Sequence, residues 1–233
     1  MEPAQREILS LPGGPAHVEW RRNRRARRIS LRIDPRDGSV VVTLPMRAAK
    51  HAGMALLMDH AQWVSDRLAA LPGLVKLADG VDLPLGGVPH RIRHVPQGRG
   101  GVWVEDGVIN VSGAEEFLAR RVLDFMRGEA RRSLAAQALE KARLACLHPS
   151  RVSIKDTKSR WGSCAQDRTL AFSWRLIMAP GFVQDYVVAH EVAHLRHMNH
   201  GPRFWALTES LTPHRIAATA WLQREAPRLL RIG

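Results

Sequence analysis

Cysteine is scarce in this chain of 233 residues: Cys146 and Cys164 are its only two, too few for a disulfide-stapled scaffold or a four-thiolate zinc finger. No uninterrupted apolar run approaches the length that crosses a membrane, and the first residues, Met1-Glu2-Pro3-Ala4-Gln5-Arg6-Glu7, lack a basic region followed by an apolar stretch. The expectation is therefore a cytoplasmic protein with no membrane association and with both thiols reduced. Acidic residues are also short, 22 against 35 basic ones, which leaves a formal charge of +13. Lysine contributes little of that excess, since Lys50, Lys76, Lys141, Lys155 and Lys158 are the only lysines. Tyrosine occurs once, as Tyr186. Apolar content is not lacking: 45% hydrophobic residues is ordinary for a folded globular chain, so disorder is not expected.

Arginine is densest in Arg21-Arg22-Asn23-Arg24-Arg25-Ala26-Arg27-Arg28. Such a run can neutralise several phosphates of a nucleic acid or meet another polyanion. It can equally be the solvated face of a strand in a protein whose arginine content reflects base composition. Both readings stand at the level of sequence.

Residues 17–112 read mainly as β structure. Arg28–Ile33 alternates polar and apolar residues, Asp34-Pro35-Arg36-Asp37-Gly38 is turn chemistry, and Val40–Leu44 returns as its partner strand. A helix is expected over Ala48–Leu71, with Leu56, Leu57, His60, Trp63, Val64 and Leu68 in one stripe and His60 at the core or its boundary. After Pro72-Gly73 a meander is expected from Val88–Val95, Val102–Val104 and Val108–Val111, with Asp106-Gly107 as a turn. A long helix should come next, from Ala114 to about Cys146, turning Phe117, Leu118, Val122, Phe125 and Met126 inward. Thr169–Trp174 alternates like a strand. The domain reading is a basic, β-rich N-terminal region over 15–112 and a second domain over 113–233. No internal repeat is evident.

The richest segment is His190-Glu191-Val192-Ala193-His194-Leu195-Arg196-His197-Met198-Asn199-His200. On an α-helix four residues advance about 400° and about 6 Å, so His190 and His194 stack on one face and can share one ion. Glu191 points about 100° away from that face, better placed to meet a water than the ion itself, and is the natural general base. His197 would lie too far along the axis. His200 can turn back only if the helix stops, and Asn199, Gly201 and Pro202 supply stopping chemistry, the first two by tolerating left-handed backbone angles. Three neutral imidazoles leave a tetrahedral zinc ion one open position, the arrangement of a catalytic rather than a structural site. HExxH alone arises by chance in roughly 2 to 3 per cent of such chains, and requiring His200 as well lowers that to about one in a thousand.

Three further stretches join this one in a resemblance: Lys158-Ser159-Arg160-Trp161-Gly162-Ser163-Cys164, then Ser173–Pro180, and Phe204-Trp205 after the histidines. Together they resemble the YgjP-like metal-dependent hydrolases, relatives of the SprT and WLM zinc peptidases. The basic N-terminal hairpin and the helix with Trp63 also look like that family's N-terminal half. The resemblance implies an α+β fold with a zincin-like metallopeptidase core. It implies Zn2+ held by His190, His194 and His200, with Glu191 as catalytic base acting on a polypeptide substrate. It also moves Arg160, Trp161 and Gly162 from an ordinary turn to the border of a substrate cleft. Ser173 stands where many members carry asparagine, and His197 where related patterns place glycine, so the turn geometry of those relatives need not transfer.

Arg160 and Tyr186 are the candidates for steadying a developing oxyanion, although burial in a helix is the commoner fate of such a tyrosine. His214 reads as a residue at a helix start. Two other functions stay open: a nucleic-acid-associated protease tethered through Arg21–Arg28, and a metal-dependent hydrolase of a non-peptide amide or ester.

Overall fold

A computed structural model describes residues 5–157 and 160–233. Lys158 and Ser159, which open the motif leading to Arg160, lie outside the described residues. The chain divides into two compact units, one ending at Leu74 and the other running from Val75 to Gly233. This places the boundary well before the expected division at 112/113. The physical reason is the core: Leu83, Ile92, Ile109 and Val111 are buried in one cluster with Leu118, Val122, Met126 and Leu134, so the second β region belongs with the long helix that comes after it.

In the first unit, β1 (Gln5–Leu11), β2 (Gly14–Asn23), β3 (Ser30–Ile33) and β4 (Val40–Pro45) form one sheet in the order β1-β2-β4-β3. The expected hairpin is present, with Ser30 opposite Thr43 and Ile33 opposite Val40. Its turn rests on Asp34, whose carboxylate accepts the Arg36 N–H at 3.1 Å, and on Gly38 at φ 74°. β4 also runs parallel to β2. Strand β2 takes in Arg21, Arg22 and Asn23, so the arginine run begins inside a strand and ends in a loop where Arg24, Arg25, Arg27 and Arg28 are exposed.

The helix expected over 48–71 is two helices, α1 (Lys50–Asp59) and α2 (Ala61–Ala69), broken at His60. There the imidazole donates to the Leu56 carbonyl at 3.1 Å, the acceptor that an unbroken helix would give to the His60 backbone N–H. His60 is exposed rather than at the core boundary, and Trp63 is 45% exposed, while Leu57 and Val64 are fully buried against the sheet's apolar residues.

The second unit opens with β5 (Asp82–Leu85), β6 (Val88–Val95), β7 (Val102–Glu105) and β8 (Val108–Ser112). Their order is β5-β6-β8-β7, with β6 parallel to β8, so the expected meander is not formed. Sequence neighbours favour β6 beside β7, but β8 carries the buried residues Ile109 and Val111 and takes the inner position. The first sheet does the same, since the fully buried Val40, Val41 and Val42 place β4 inside and β3 at the edge. The two sheets thus share one strand order, a structural recurrence that the sequence barely marks.

A 3-10 turn (Glu115–Phe117) leads into α3 (Leu118–Leu144), which buries Leu118, Val122 and Met126 while Phe117 stays 42% exposed. Strands β9 (Arg151–Lys155), β10 (Gly162–Cys164) and β11 (Thr169–Ser173) form a third sheet in the order β10-β11-β9. After a 3-10 turn at Trp174–Met178 come α4 (Gly181–His194), α5 (Pro202–Leu211) and α6 (Arg215–Leu230). The result is a mixed α+β architecture. Cys146 and Cys164 are both free, and no helix among the described residues is long and apolar enough to cross a membrane.

Candidate metal centre

Helix α4 buries Val183, Val187, Val188 and Val192 and thereby fixes the face on which His190 and His194 stand. Their ring centroids are 5.0 Å apart. The helix ends at His194, where the Leu195 N–H reaches the Val192 carbonyl at 3.0 Å and the Arg196 N–H reaches that of Ala193 at 3.2 Å, tightening the last turn. The chain then reverses to α5, which starts at Pro202. Neither Asn199 nor Gly201 has the left-handed angles that the sequence suggested: Gly201 lies at φ −83°, and among the described residues the non-glycines with positive φ are Asp106, Cys146 and Arg168. The tightened helix end makes the reversal without them.

His200 is brought back with its centroid 5.0 Å from His190 and 4.7 Å from His194. One ring nitrogen from each of the three histidines lies within 4.8 Å of the others, and the Nε2 atoms of His190 and His200 are 3.1 Å apart. Two nitrogens bound to a tetrahedral zinc at about 2.0–2.1 Å would be separated by about 3.3 Å, so this pair is already at chelating distance. His194 Nδ1 donates to the His197 carbonyl at 3.0 Å, which leaves its Nε2 lone pair for an ion. Burial, and then the neighbouring imidazoles, push the His190 pKa down to about 4. Burial likewise lowers that of His194, against the opposing hydrogen bond to His197. Near neutral pH both rings are uncharged and able to donate lone pairs. The residues fit a divalent ion that accepts nitrogen ligands.

Aromatic rings enclose the triad. Phe204 is fully buried, with its centroid 4.9, 4.5 and 4.7 Å from those of His190, His194 and His200. Trp205 stacks on His200 at 5.6 Å and 29°. The Arg215 guanidinium lies 3.9 Å from the Trp205 ring centre and pairs with Glu209. Tyr186 is buried one turn before His190, edge-on at 5.9 Å. In the sequence Phe204 and Trp205 count only as part of a family pattern. The signal for them is an aromatic pair in the first turn of the helix after the third histidine.

Glu191 is buried against β10. A Cβ on Gly162 would lie 2.5 Å from Glu191 Cγ and 2.6 Å from its Oε1, so only glycine lets the carboxyl occupy this place. Desolvation pushes the Glu191 pKa up to about 7, opposed by the positive charge of Arg160. Cys164, on the same strand, is pushed up to about 11 by burial and then by Glu191, so it is a thiol rather than a thiolate. Arg160 is exposed; Trp161 is partly buried against the core and its carbonyl accepts the Ser173 N–H at 2.9 Å. Of the three residues expected to border the cleft, Gly162 touches Glu191 directly and Arg160 acts on it through charge. His214 precedes α6 with its ring 6.0 Å from Phe182, apart from the triad.

A family model for the YgjP-like metallopeptidase domain matches residues 27–225, a span that holds every one of these side chains. The chain belongs to the YgjP-like family. Membership in the YgjP-like family makes it a metal-dependent hydrolase of the peptidase kind, and the histidine triad is a group of its described residues that could hold the ion. Comparison with curated proteins found no match, and neither did comparison with solved structures.

Proposed function

We propose that this chain is a zinc-dependent peptidase with a zincin-like core, in which His190, His194 and His200 hold the ion and Glu191 carries the proton. The observation behind this reading is the convergence of three imidazole nitrogens within 4.8 Å, two of them from a helix whose Glu191 rests against the edge strand β10 and the third from the turn that follows it. A set of neutral nitrogen donors suits zinc. Bound there, zinc supplies Lewis acidity, both acidifying water and polarising a carbonyl.

The chain's own part is positional and acid–base. Among the described residues strand β10 is paired on one side only, so an extended peptide can add to it as a further strand beside Glu191. Glu191 takes a proton from the attacking water and returns it to the leaving amine nitrogen. The water oxygen joins the carbonyl carbon as the C–N bond breaks. Arg160 is the group we assign to the growing negative charge. The reading includes a cytoplasmic setting, in which both cysteines stay reduced.

The test is a digest of an unbiased peptide library by the native chain and by Glu191→Gln. The variant is expected to keep its zinc and lose cleavage by about 100-fold or more. Cleavage that survives the substitution would overturn the assignment of Glu191. Zinc binding with no peptide cleavage by the native chain would instead favour the non-peptide amide or ester substrate.

A second element of the proposal concerns the loop after β2, where four exposed guanidiniums of Arg24, Arg25, Arg27 and Arg28 fall within five residues. They favour a tether to nucleic acid. Binding to a mixed-sequence duplex should then weaken steeply with salt and persist in Glu191→Gln.

A further inference from the structure

Away from the histidines, the second unit has a depression of about 230 Å³, lined by Arg127 and Arg131 of α3, Ile154 and Lys155 of β9, Asp156 and Trp174. Two observations set it apart from an ordinary solvated surface. The first is charge. Arg127 and Arg131 are four residues apart on one helix and share a face. Arg127 has only a loose pairing with Asp124, at 3.8 Å. Asp156 is the single carboxylate among the described residues of the lining, and it is already ion-paired with Arg175, whose guanidinium lies 4.4 Å from the Trp174 ring centre. Three cationic groups therefore have no further carboxylate in that lining to balance them.

The second observation is a buried donor. Trp174 is 1% exposed, and its indole N–H has no acceptor among the described residues. An unanswered buried donor costs about 1–3 kcal/mol, and buried polar groups are in general hydrogen-bonded. A ligand that offers acceptor oxygens and carries more than one negative charge would suit these groups. A phosphate group meets both conditions, and arginine pairs in a fork geometry with such oxygens.

We propose that this depression binds a phosphate group, free or at the end of a larger molecule, with Arg127, Arg131 and Lys155 as its cations and the Trp174 indole N–H as its buried donor. None of these residues belongs to the metal centre, so the site stands or falls independently of the peptidase reading.

The indole resonances of the full-length, zinc-loaded chain provide the test, with that of Trp174 assigned from Trp174→Phe. Titration with inorganic phosphate, against sodium chloride at equal ionic strength, should move the Trp174 indole resonance along a saturating curve. Arg127→Ala/Arg131→Ala, which changes only surface side chains of α3, should weaken that curve about tenfold or more. The same shift should persist in His200→Ala, which separates this site from phosphate acting at the metal. Phenyl phosphate distinguishes the sources: equal affinity indicates the terminal group of a larger molecule, and binding of inorganic phosphate alone indicates the free ion. An equal response to chloride, or a curve undiminished in the double-arginine variant, would overturn the proposal.

Discussion

At residue 162 the space for one methyl group separates a free Glu191 carboxyl from a displaced one. The constraint is steric, because a Cβ there would meet the Glu191 side chain at 2.5–2.8 Å. Gly162→Ala is expected to lower kcat by about 100-fold, as for a catalytic group moved by about 1 Å, while zinc content stays unchanged. Steady-state kinetics beside metal analysis checks this, and an alanine variant with native kcat would contradict it. Trp205 acts on the other side of the site. The exposed His200 stacks on its ring, so Trp205→Ala should weaken zinc binding by about 10-fold, read by chelator competition, and Trp205→Phe should recover part of the loss. His190, Glu191 and His194 are legible in the sequence because helical spacing aligns residues four apart, and His200 because a helix stop is written before Pro202, although the left-handed angles expected at Asn199 and Gly201 are not what makes the reversal. Phe204, Trp205 and the fit of Gly162 to Glu191 are not, since those contacts cross between segments whose approach no local pattern encodes.

Among the elements, those governed by local chemistry are the most legible. The hairpin of β3 and β4 follows from alternation and an Asp-Gly turn, and the long helix α3 from its apolar stripe. Strand order in the second sheet departs from the expected meander because adjacency in sequence is not adjacency in space, and burial of β8 decides the outcome. The break at His60 is hidden for a different reason: a side chain competes with its own backbone for one carbonyl, and periodicity does not register that. Helix α1 meets its sheet closely at Gly53, where a Cβ would lie 2.8 Å from Leu44 Cδ2 and 2.9 Å from Trp20 Cζ3. Despite alanine's better helix propensity, Gly53→Ala should destabilise the protein by about 1–3 kcal/mol through overpacking. Thermal or urea denaturation gives the answer, and a stabilised variant would show that α1 can move away from β4.

For the whole molecule, two properties carry the functional account. The metal-site residues and Gly162 all fall within the unit from Val75 to Gly233, while the densest arginine run falls in the other. Pro72-Gly73 marks a break in the sequence beside Leu74 but does not mark it as the division, because a boundary is set by which core a sheet joins and the second sheet's strands look as β-rich as the first's. The excess of 13 positive charges is plain from composition, although composition does not say what meets it.

The central claim is that His190, His194 and His200 gather around one ion, and metal analysis of the purified chain after dialysis tests it most directly. The account predicts one zinc per chain. It also predicts that His200→Ala lowers zinc affinity by more than about 100-fold, since losing a ligand must cost more than losing a group that supports one. A chain that retains no zinc, or a His200→Ala variant that binds it as tightly as the native protein, would contradict the account.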